Sequence, residues 1–313
     1  MSRKIIAVVG GTGAQGSGLV HAIHEDPAGE FQARVLTRNP ESEAGKRVAA
    51  LGAEVVRADL DDEASIRKAF EGAYGAYCVT FFWDHFSPER ELRDAELLAK
   101  SAAAAGLKHV IWSTLEDTRE LVPLDDERMP TLMGKYKVPH FDAKGEANRF
   151  FIENNVPTTF LLTSFYWDNF IHFGLGPQAD ANGDLFISFP MGDEKLPGIA
   201  AEDIGRSAYG IFKAGPSLAG KTIGIAGEHL TGAEMAAELS RQLGSPVRYE
   251  AADPNAYRAL GFPGADDLGN MFQFKHDFNQ MYCASRSIER TRALSPKLQT
   301  LSQWLETHSG KLA

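Results

Sequence analysis

Short apolar runs rich in β-branched residues alternate with helical patterns through the first half of the chain. Six of these runs predict strands, at Ile5–Val9, Ala33–Leu36, Glu54–Arg57, Gly75–Val79, His109–Ser113 and Thr158–Leu162. Five intervening stretches predict helices, at Gly16–His24, Glu43–Leu51, Glu63–Phe70, Pro88–Ala105 and His140–Asn154. Strands and helices that alternate at this spacing predict an α/β fold, with a doubly wound parallel (Rossmann) sheet and right-handed crossovers.

The alternation ends after Leu162. The turn sequence DANG is followed by the alternating segment FISFP, and later segments predict a helix at Glu202–Phe212, a returning strand at Lys221–Ala226 and a helix at Thr231–Leu243. We therefore predict a large domain over residues 1–162 that is completed by about residues 200–227. A smaller, interleaved α/β lobe is predicted over residues 163–199 and 228–313, and this lobe would line a cleft for a substrate or an effector.

Composition and charge exclude several classes of protein. The formal net charge is −10, from 32 Lys+Arg and 42 Asp+Glu, and no basic cluster is visible, so nucleic-acid binding is not expected. The two cysteines, Cys78 and Cys283, lack the spacing of a zinc site, and we expect no bound metal. No apolar run approaches the roughly 18 residues of a membrane helix. We expect a soluble, cytoplasmic protein.

A glycine-rich loop, GGTGAQG, directly follows the first predicted strand and leads into a helix. It comprises Gly10, Gly11, Thr12, Gly13, Ala14, Gln15 and Gly16. Small residues at this position let the backbone turn tightly and approach a pyrophosphate, whose charge is stabilised by the helix N-terminus. In this context the loop predicts a dinucleotide-binding site; the alternative is a glycine turn that serves only close packing.

The residues after the second and third strands bear on the choice of dinucleotide. An NAD site would place an acid about twenty residues past the loop, whereas this chain has Thr37-Arg38-Asn39-Pro40. A guanidinium binds a 2′-phosphate in bidentate fashion, so Arg38 favours NADP(H) over NAD(H). Asp59, at the end of the third strand, either borders the adenine or belongs to helix-capping turns. The aromatic segment Phe81–Phe86 either walls a flat ring or covers the sheet edge.

Seven motifs together resemble the NmrA-like proteins, which are atypical short-chain dehydrogenase relatives that bind NADP(H). The motifs are GGTGAQG, TRNP, DLDDE, VTFFW, HFDAKGE, SFYWDNF and LGFPGADDLGNMF, and they cover nearly the whole chain. The chain looks most similar to NmrA-like redox-sensor proteins without established turnover. At greater distance it is similar to fungal nitrogen-metabolite regulators and to NADPH-dependent quinone and isoflavone-type reductases.

The resemblance implies roles for individual residues. It makes Gly11 through Gln15 the phosphate loop of an NADP(H)-binding Rossmann domain and makes Arg38 the ligand of the 2′-phosphate. Further cofactor contacts are implied for Trp83, Lys144, Tyr166, Trp167, Asp168 and Asn169. The chain departs from its relatives at Glu63, where they have a glutamine, at Ser42, where a basic residue is expected, and at Arg93, where a lysine is expected.

The segment VPHFDAKGE places His140 four residues before Lys144. In short-chain dehydrogenases the residue in the position of His140 is a tyrosine that protonates the substrate. Both side chains fall on or beside the apolar stripe of their helix and should point inward. A histidine starts near pKa 6.5, and a neighbouring ammonium would lower it further, so we expect a mostly neutral ring. A neutral imidazole can still polarise a carbonyl.

Two functions remain open from the sequence. One is a regulator whose NADP(H) occupancy reports the NADPH/NADP⁺ ratio to a protein partner. The other is an NADPH-dependent reductase of a quinone or carbonyl compound, with His140, Lys144 and Ser113 as catalytic candidates. Ser113 either orients a carbonyl or caps its strand. The histidine in place of tyrosine favours the regulator, and the aromatic segments keep the reductase open. The protein is expected to be a monomer or a homodimer.

Overall fold

A computed structural model describes residues 3–312 of the chain. The strands are β1 (Lys4–Val9), β2 (Phe31–Thr37), β3 (Glu54–Arg57), β4 (Gly75–Cys78), β5 (His109–Thr114), β6 (Thr158–Leu162), β7 (Phe165–Tyr166), β8 (Gln178–Ala179), β9 (Leu185–Phe189), β10 (Leu196–Ile199), β11 (Thr222–Gly224), β12 (Glu228–Leu230) and β13 (Val247–Ala251).

The helices follow the same chain order. They are α1 (Ala14–His24), α2 (Glu43–Ala50), α3 (Glu63–Phe70), α4 (Pro88–Ala104), α5 (Pro139–Glu153), α6 (Asn169–His172), α7 (Ala201–Ala214), α8 (Gly232–Leu243), α9 (Pro254–Arg258), α10 (Ala265–Asp277), α11 (Asn279–Ser285), α12 (Ile288–Leu294) and α13 (Leu301–His308). Short 3₁₀ turns lie at Phe82–Asp84, Thr118–Glu120, Pro216–Leu218 and Ser309–Lys311.

The large sheet has seven strands in the order β11-β6-β5-β4-β1-β2-β3, and every pairing in it is parallel. Strand order reverses between β1 and β4, which is the switch point where ligands bind in folds of this kind. All six predicted strands of the first half are present, and the predicted returning strand is β11, paired with β6. The α/β, doubly wound Rossmann prediction is confirmed.

Helix starts agree with local sequence chemistry. The side chains of Ser42, Asp62 and Ser87 each accept a hydrogen bond from a backbone N–H in the first turn of α2, α3 and α4. Proline at the first position of α4 and α5 is favourable because its missing N–H would have no helical partner there. The predicted boundaries of these helices therefore differ from the observed ones by at most one residue at either end.

The smaller lobe contains two three-stranded sheets, ordered β12-β10-β7 and β13-β9-β8. Its own apolar core includes Phe165, Phe189, Phe272 and Tyr282, whereas two other clusters cover the two faces of the large sheet. The lobe is interleaved with the large sheet, since α7 packs against α1 and β11 joins the sheet edge. The residue boundary between the domains stays a prediction. Within residues 3–312, no helix combines the length and apolarity required to cross a membrane.

Candidate functional site

The glycine loop joins β1 to α1, and its glycines have different roles. Gly10 adopts φ +65°, which favours glycine, and its carbonyl accepts a hydrogen bond from the Gly13 N–H at 2.9 Å. A Cβ on Gly16 would lie 2.4 Å from the Gly10 oxygen, and one on Gly11 would lie 2.8 Å from Val35. Gly13 is exposed, and a Cβ there would meet only the Gly10 oxygen, at 3.3 Å. Gly13 therefore faces open space, as a phosphate cradle requires.

The start of α1 carries no side-chain cap, because its N-cap residue is Gly13. The N–H groups of the first turn, which begins at the exposed Ala14, have no helical acceptor and remain free for an anion. The loop thus combines a tight turn, open space and unsatisfied donors. These features fit a dinucleotide pyrophosphate.

Gln15 connects this loop to three other elements. Its amide oxygen accepts hydrogen bonds from the Tyr77 hydroxyl and, at 2.9 Å, from Ser113 Oγ. Its amide nitrogen donates to the Tyr166 hydroxyl at 2.6 Å, and that hydroxyl lies 3.3 Å from Thr163 Oγ1. Burial raises the pKa of Tyr166 to about 12, so this phenol is a poor acid. The structure therefore brings together three predicted site residues, Gln15, Ser113 and Tyr166.

Arg38 follows β2 and is available to a ligand. Its side chain is 72% exposed, and its nearest counter-charge is Asp84 Oδ2 at 3.8 Å. Beside the phosphate loop lies a groove of about 370 Å³ lined by Thr12, Ser17, His21, Ala44, Arg47, Val48 and Leu51. Within residues 3–312, the Arg47 guanidinium has no ion pair. Arg47 thus borders the groove beside the loop, and Arg38 follows β2, the strand paired with β1. Arg47 was not identified from the sequence.

Asp59 takes part in a turn. Its carboxylate accepts a hydrogen bond from the Asp61 N–H at 3.1 Å, and its backbone N–H donates to Ser65 Oγ. Asp62 caps α3. The turn-forming alternative therefore describes the contacts of Asp59, while a contact with adenine stays a prediction.

His140 lies near the start of α5 and is only 6% exposed. Its Nδ1 lies 2.5 Å from Asp267 Oδ1, and its backbone N–H donates to Asp267 Oδ2 at 3.1 Å. Asp267 belongs to α10 of the lobe and is itself buried. Because a carboxylate accepts here, Nδ1 carries a proton and the tautomer is fixed. Nε2 has no hydrogen-bond partner among residues 3–312. It is not one of the unpaired side-chain atoms that are fully buried.

Aromatic rings surround the imidazole of His140. The Trp83 ring centroid lies 4.8 Å from it, and those of Phe82 and Phe141 lie at 5.9 and 4.8 Å. Phe86, with φ +53°, packs its ring against Trp83 at 5.7 Å. Phe82 and Trp83 therefore pack beside the histidine, while the alternatives that the segment walls a flat ring or covers the sheet edge stay predictions.

Lys144 is 9% exposed, so the predicted inward orientation is observed. Its Nζ lies 2.5 Å from Glu91 Oε1 and also donates to Thr80 O and Thr80 Oγ1 at 3.0 and 2.9 Å. These three acceptors use all three donors of the ammonium group. Burial alone would raise the pKa of Glu91, but the Lys144 charge together with the hydrogen bonds from Lys144 and Thr80 holds that pKa at about 2. Lys144 is therefore the counter-ion of a buried carboxylate.

The second carboxylate oxygen of Glu91 faces His85. His85 Nε2 lies 3.6 Å from Glu91 Oε2, which is too long for a hydrogen bond, and Oε2 has no other partner among the described residues. Neither Glu91 nor Asp267 was identified from the sequence. Glu91 lies in the first turn of α4, where an acid is ordinary, and Asp267 lies within the GADD motif.

The three residues after Tyr166 lie in the lobe. Trp167 is fully buried against Trp304, with ring centroids 6.5 Å apart. Asp168 Oδ2 accepts a hydrogen bond from the Ala201 N–H at the start of α7, and Asn169 begins α6. Their predicted cofactor contacts stay predictions. No metal-binding group of His, Cys, Asp or Glu occurs within residues 3–312.

The parallel sheet, its switch point and the glycine loop define a Rossmann-type nucleotide-binding fold. The sequence model of the NmrA-like family matches residues 2–305, and the chain belongs to that family. It is 27% identical over 313 residues to the NmrA-like oxidoreductase hkm9 of Aspergillus hancockii, an alignment that covers 95% of this chain and 90% of the relative.

Solved structures share the fold. The negative transcriptional regulator NmrA in complex with NADP superposes with a TM-score of 0.79 at 22% identity and covers 98% of this chain and 95% of that protein. The triphenylmethane reductase of Citrobacter sp., solved with NADP(H), superposes with a TM-score of 0.72 at 21% identity and covers 98% and 99%. A regulator and an enzyme are thus both built on this architecture, and the fold alone does not choose between them.

Proposed function

We propose that this protein is an NADPH-dependent reductase of carbonyl or quinone compounds in which His140 donates the proton. The observation that carries the proposal is the contact between His140 Nδ1 and Asp267 Oδ1 at 2.5 Å, which leaves Nε2 without a partner. A ring nitrogen held by a carboxylate, with its other nitrogen free, is the arrangement of a positioned acid–base group. The aromatic wall around it suits a flat, apolar substrate.

The sequence favoured a regulator because a neutral His140 was expected beside the Lys144 ammonium group. In the fold Lys144 is neutralised by Glu91, and His140 faces the Asp267 carboxylate. Asp267 holds His140 by Nδ1 and leaves Nε2 as the ring atom that could pass a proton to a substrate oxygen, while bound NADPH would supply the hydride. Asp267 keeps the ring oriented throughout.

The loop side of the site supports NADP(H) as the cofactor. The N–H groups after Gly13 would hold the pyrophosphate, and the exposed Arg38 guanidinium would bind the 2′-phosphate. Arg47, at the groove beside Thr12, would add a second positive charge on the same side. An unphosphorylated ribose would gain little from either arginine.

A spectrophotometric screen tests the reductase proposal. Purified protein is mixed with NADPH and a panel of aldehydes, ketones and quinones, and NADPH consumption is followed. His140→Ala should lower kcat for an accepted substrate by about 10²–10⁴-fold, the usual contribution of a positioned acid. NADPH affinity should not change, and the exposed His24→Ala serves as the matched control. Absence of turnover with the whole panel, or full activity in His140→Ala, would contradict the proposal.

A second candidate is the redox sensor, and it is favoured by Gln15. Its amide joins the phosphate loop to Tyr166 in the lobe at 2.6 Å, so nucleotide binding at the loop can alter the lobe surface that a protein partner would bind. NADPH should then protect the lobe from proteolysis in the unaltered protein but not in Tyr166→Phe, although both bind the nucleotide. Equal protection in both proteins would count against this link.

A further inference from the structure

Lys275, on α10, is a buried amine without an oxygen partner. Its side chain is 3% exposed, and among residues 3–312 its Nζ contacts only the thioether sulfur of Met271, at 3.2 Å. Three aromatic rings surround it, with centroids 5.5 Å away at Phe141, 5.6 Å at Phe272 and 5.5 Å at Tyr282. A thioether is a weak acceptor, and a buried ammonium is rarely left without a stronger one.

Nearby charges do not neutralise this amine. Arg286, which is fully buried, forms a bidentate ion pair with Glu116 at 2.6 and 2.9 Å and donates to Thr163 O at 2.8 Å. Glu116, the carboxylate whose charge acts on Lys275, is thus already paired with a guanidinium. Burial, followed by the Arg286 charge, lowers the pKa of Lys275 to about 7. The described residues therefore offer this amine no free counter-charge.

A second polar group at the same place is also unpartnered. The Tyr282 hydroxyl is fully buried and has no hydrogen-bond partner among the described residues. One face of its ring is covered by the Arg286 guanidinium, whose carbon lies 3.6 Å from the ring centroid. Buried side-chain polar atoms almost always have partners. A ligand oxygen could accept from the amine, whose partner is only a thioether, and from the hydroxyl, which has no partner among residues 3–312.

This cluster lies beside the carboxyl edge of the large sheet. Glu116 and Thr163 follow β5 and β6, so Arg286 marks the carboxyl edge of the large sheet, where α/β proteins bind their ligands. Phe141 connects the cluster to the proposed acid. Its ring lies 5.5 Å from Lys275 Nζ on one side and 4.8 Å from the His140 ring on the other.

We propose that Lys275 and Tyr282 bind the carboxylate of a small 2-oxo acid or related carbonyl compound with an aromatic body. The carboxylate would displace the Met271 thioether, which is flexible, and would receive hydrogen bonds from the amine and the phenol. The surrounding rings would contact the apolar body. Reduction of such a compound rests on the proposed reductase function, but its binding does not, because the carboxylate site can be measured without NADPH.

Isothermal titration of the full chain with phenylpyruvate and with its neutral analogue phenylacetone tests this site. The unaltered protein should bind phenylpyruvate about tenfold more tightly or better, as a charge-assisted contact implies. Lys275→Met should remove that preference while retaining phenylacetone and NADPH binding. Tyr282→Phe should reduce it by a smaller factor, and the exposed Lys221→Met is the matched control.

Equal affinity for the two compounds in the unaltered protein would overturn the site, and so would no measurable binding of either. An unchanged preference in Lys275→Met would overturn it as well. NADPH binding by each variant shows that it is folded. Tight phenylpyruvate binding without NADPH consumption would contradict the reductase function and leave the carboxylate site standing. Turnover of neutral ketones, with no preference for a carboxylate, would support the reductase function and contradict the carboxylate site.

Discussion

The two sides of the site are built in opposite ways. The loop side comprises Gly10–Gly16 with Arg38 and Arg47, and it presents free backbone N–H groups and an arginine that is 72% exposed. The dyad side comprises His140, Asp267, Lys144 and Glu91, all of them buried. Here His140 is paired with Asp267 and Lys144 with Glu91.

This difference separates binding from chemistry. Exposed donors and cations can hold an anionic nucleotide with little rearrangement. The binding free energy that they contribute depends on contacts with its phosphate groups. Buried, mutually paired charges fix orientation and protonation, which matter for a proton transfer more than for affinity. Changes on the loop side should therefore alter nucleotide affinity, and changes on the dyad side should alter turnover.

The largest expected effect is on the loop side. Gly13→Val should abolish NADPH binding and leave the protein folded, because the added branches would fill space that the pyrophosphate needs, while a Cβ meets no atom closer than 3.3 Å. Fluorescence titration measures the binding, and circular dichroism with thermal unfolding controls for the fold. NADPH binding by this variant would show that the nucleotide binds elsewhere.

A second effect concerns stability and pH. The pKa of Lys275 is lowered from 10.5 to about 7 by burial and by the Arg286 charge, so between these values the unfolded chain binds more protons than the folded one. Stability should therefore rise with pH across this window and should be lower near pH 7.

Lys275→Met should remove this pH-dependent destabilisation. It should raise the free energy of unfolding at pH 7 by several kcal/mol, since no charge is then buried. Urea unfolding of both proteins from pH 6.5 to pH 10 provides the measurement, and the difference between the two curves isolates Lys275 from other titrating groups. Parallel curves would mean that Lys275 has a counter-charge in solution.

A smaller effect is expected at the two arginines. Arg38→Ala should remove most of an about tenfold or greater preference for NADPH over NADH, because a charge-assisted contact contributes about 1.5–3 kcal/mol. Arg47→Ala should reduce the preference less. NADH affinity, titrated in parallel, should change little in either variant. Equal affinity of the unaltered protein for both nucleotides would contradict the assignment of Arg38.

The local elements of the loop side could be predicted from the sequence, whereas the ion pairs of the dyad side could not. The strands, the glycine loop and Arg38 depend on local patterns, such as β-branched runs and a strand–loop–helix order. Asp267 lies 127 residues from His140, and only the packing of α10 against α5 brings them together. Glu91 has the local signature of an ordinary first-turn acid. The expectation that Lys144 would act on His140 came from helical spacing, which cannot reveal tertiary partners.

The most direct test of this separation is Asp267→Asn, which keeps the side-chain shape and removes the charge. NADPH affinity and kcat for an accepted carbonyl substrate are measured on the same preparations of variant and unaltered protein. Our account predicts that kcat falls by about 10²–10⁴-fold, because Nδ1 of His140 loses the carboxylate that orients the ring, while NADPH affinity is unchanged. An unchanged kcat, or a loss of NADPH affinity that matches the loss of turnover, would contradict it.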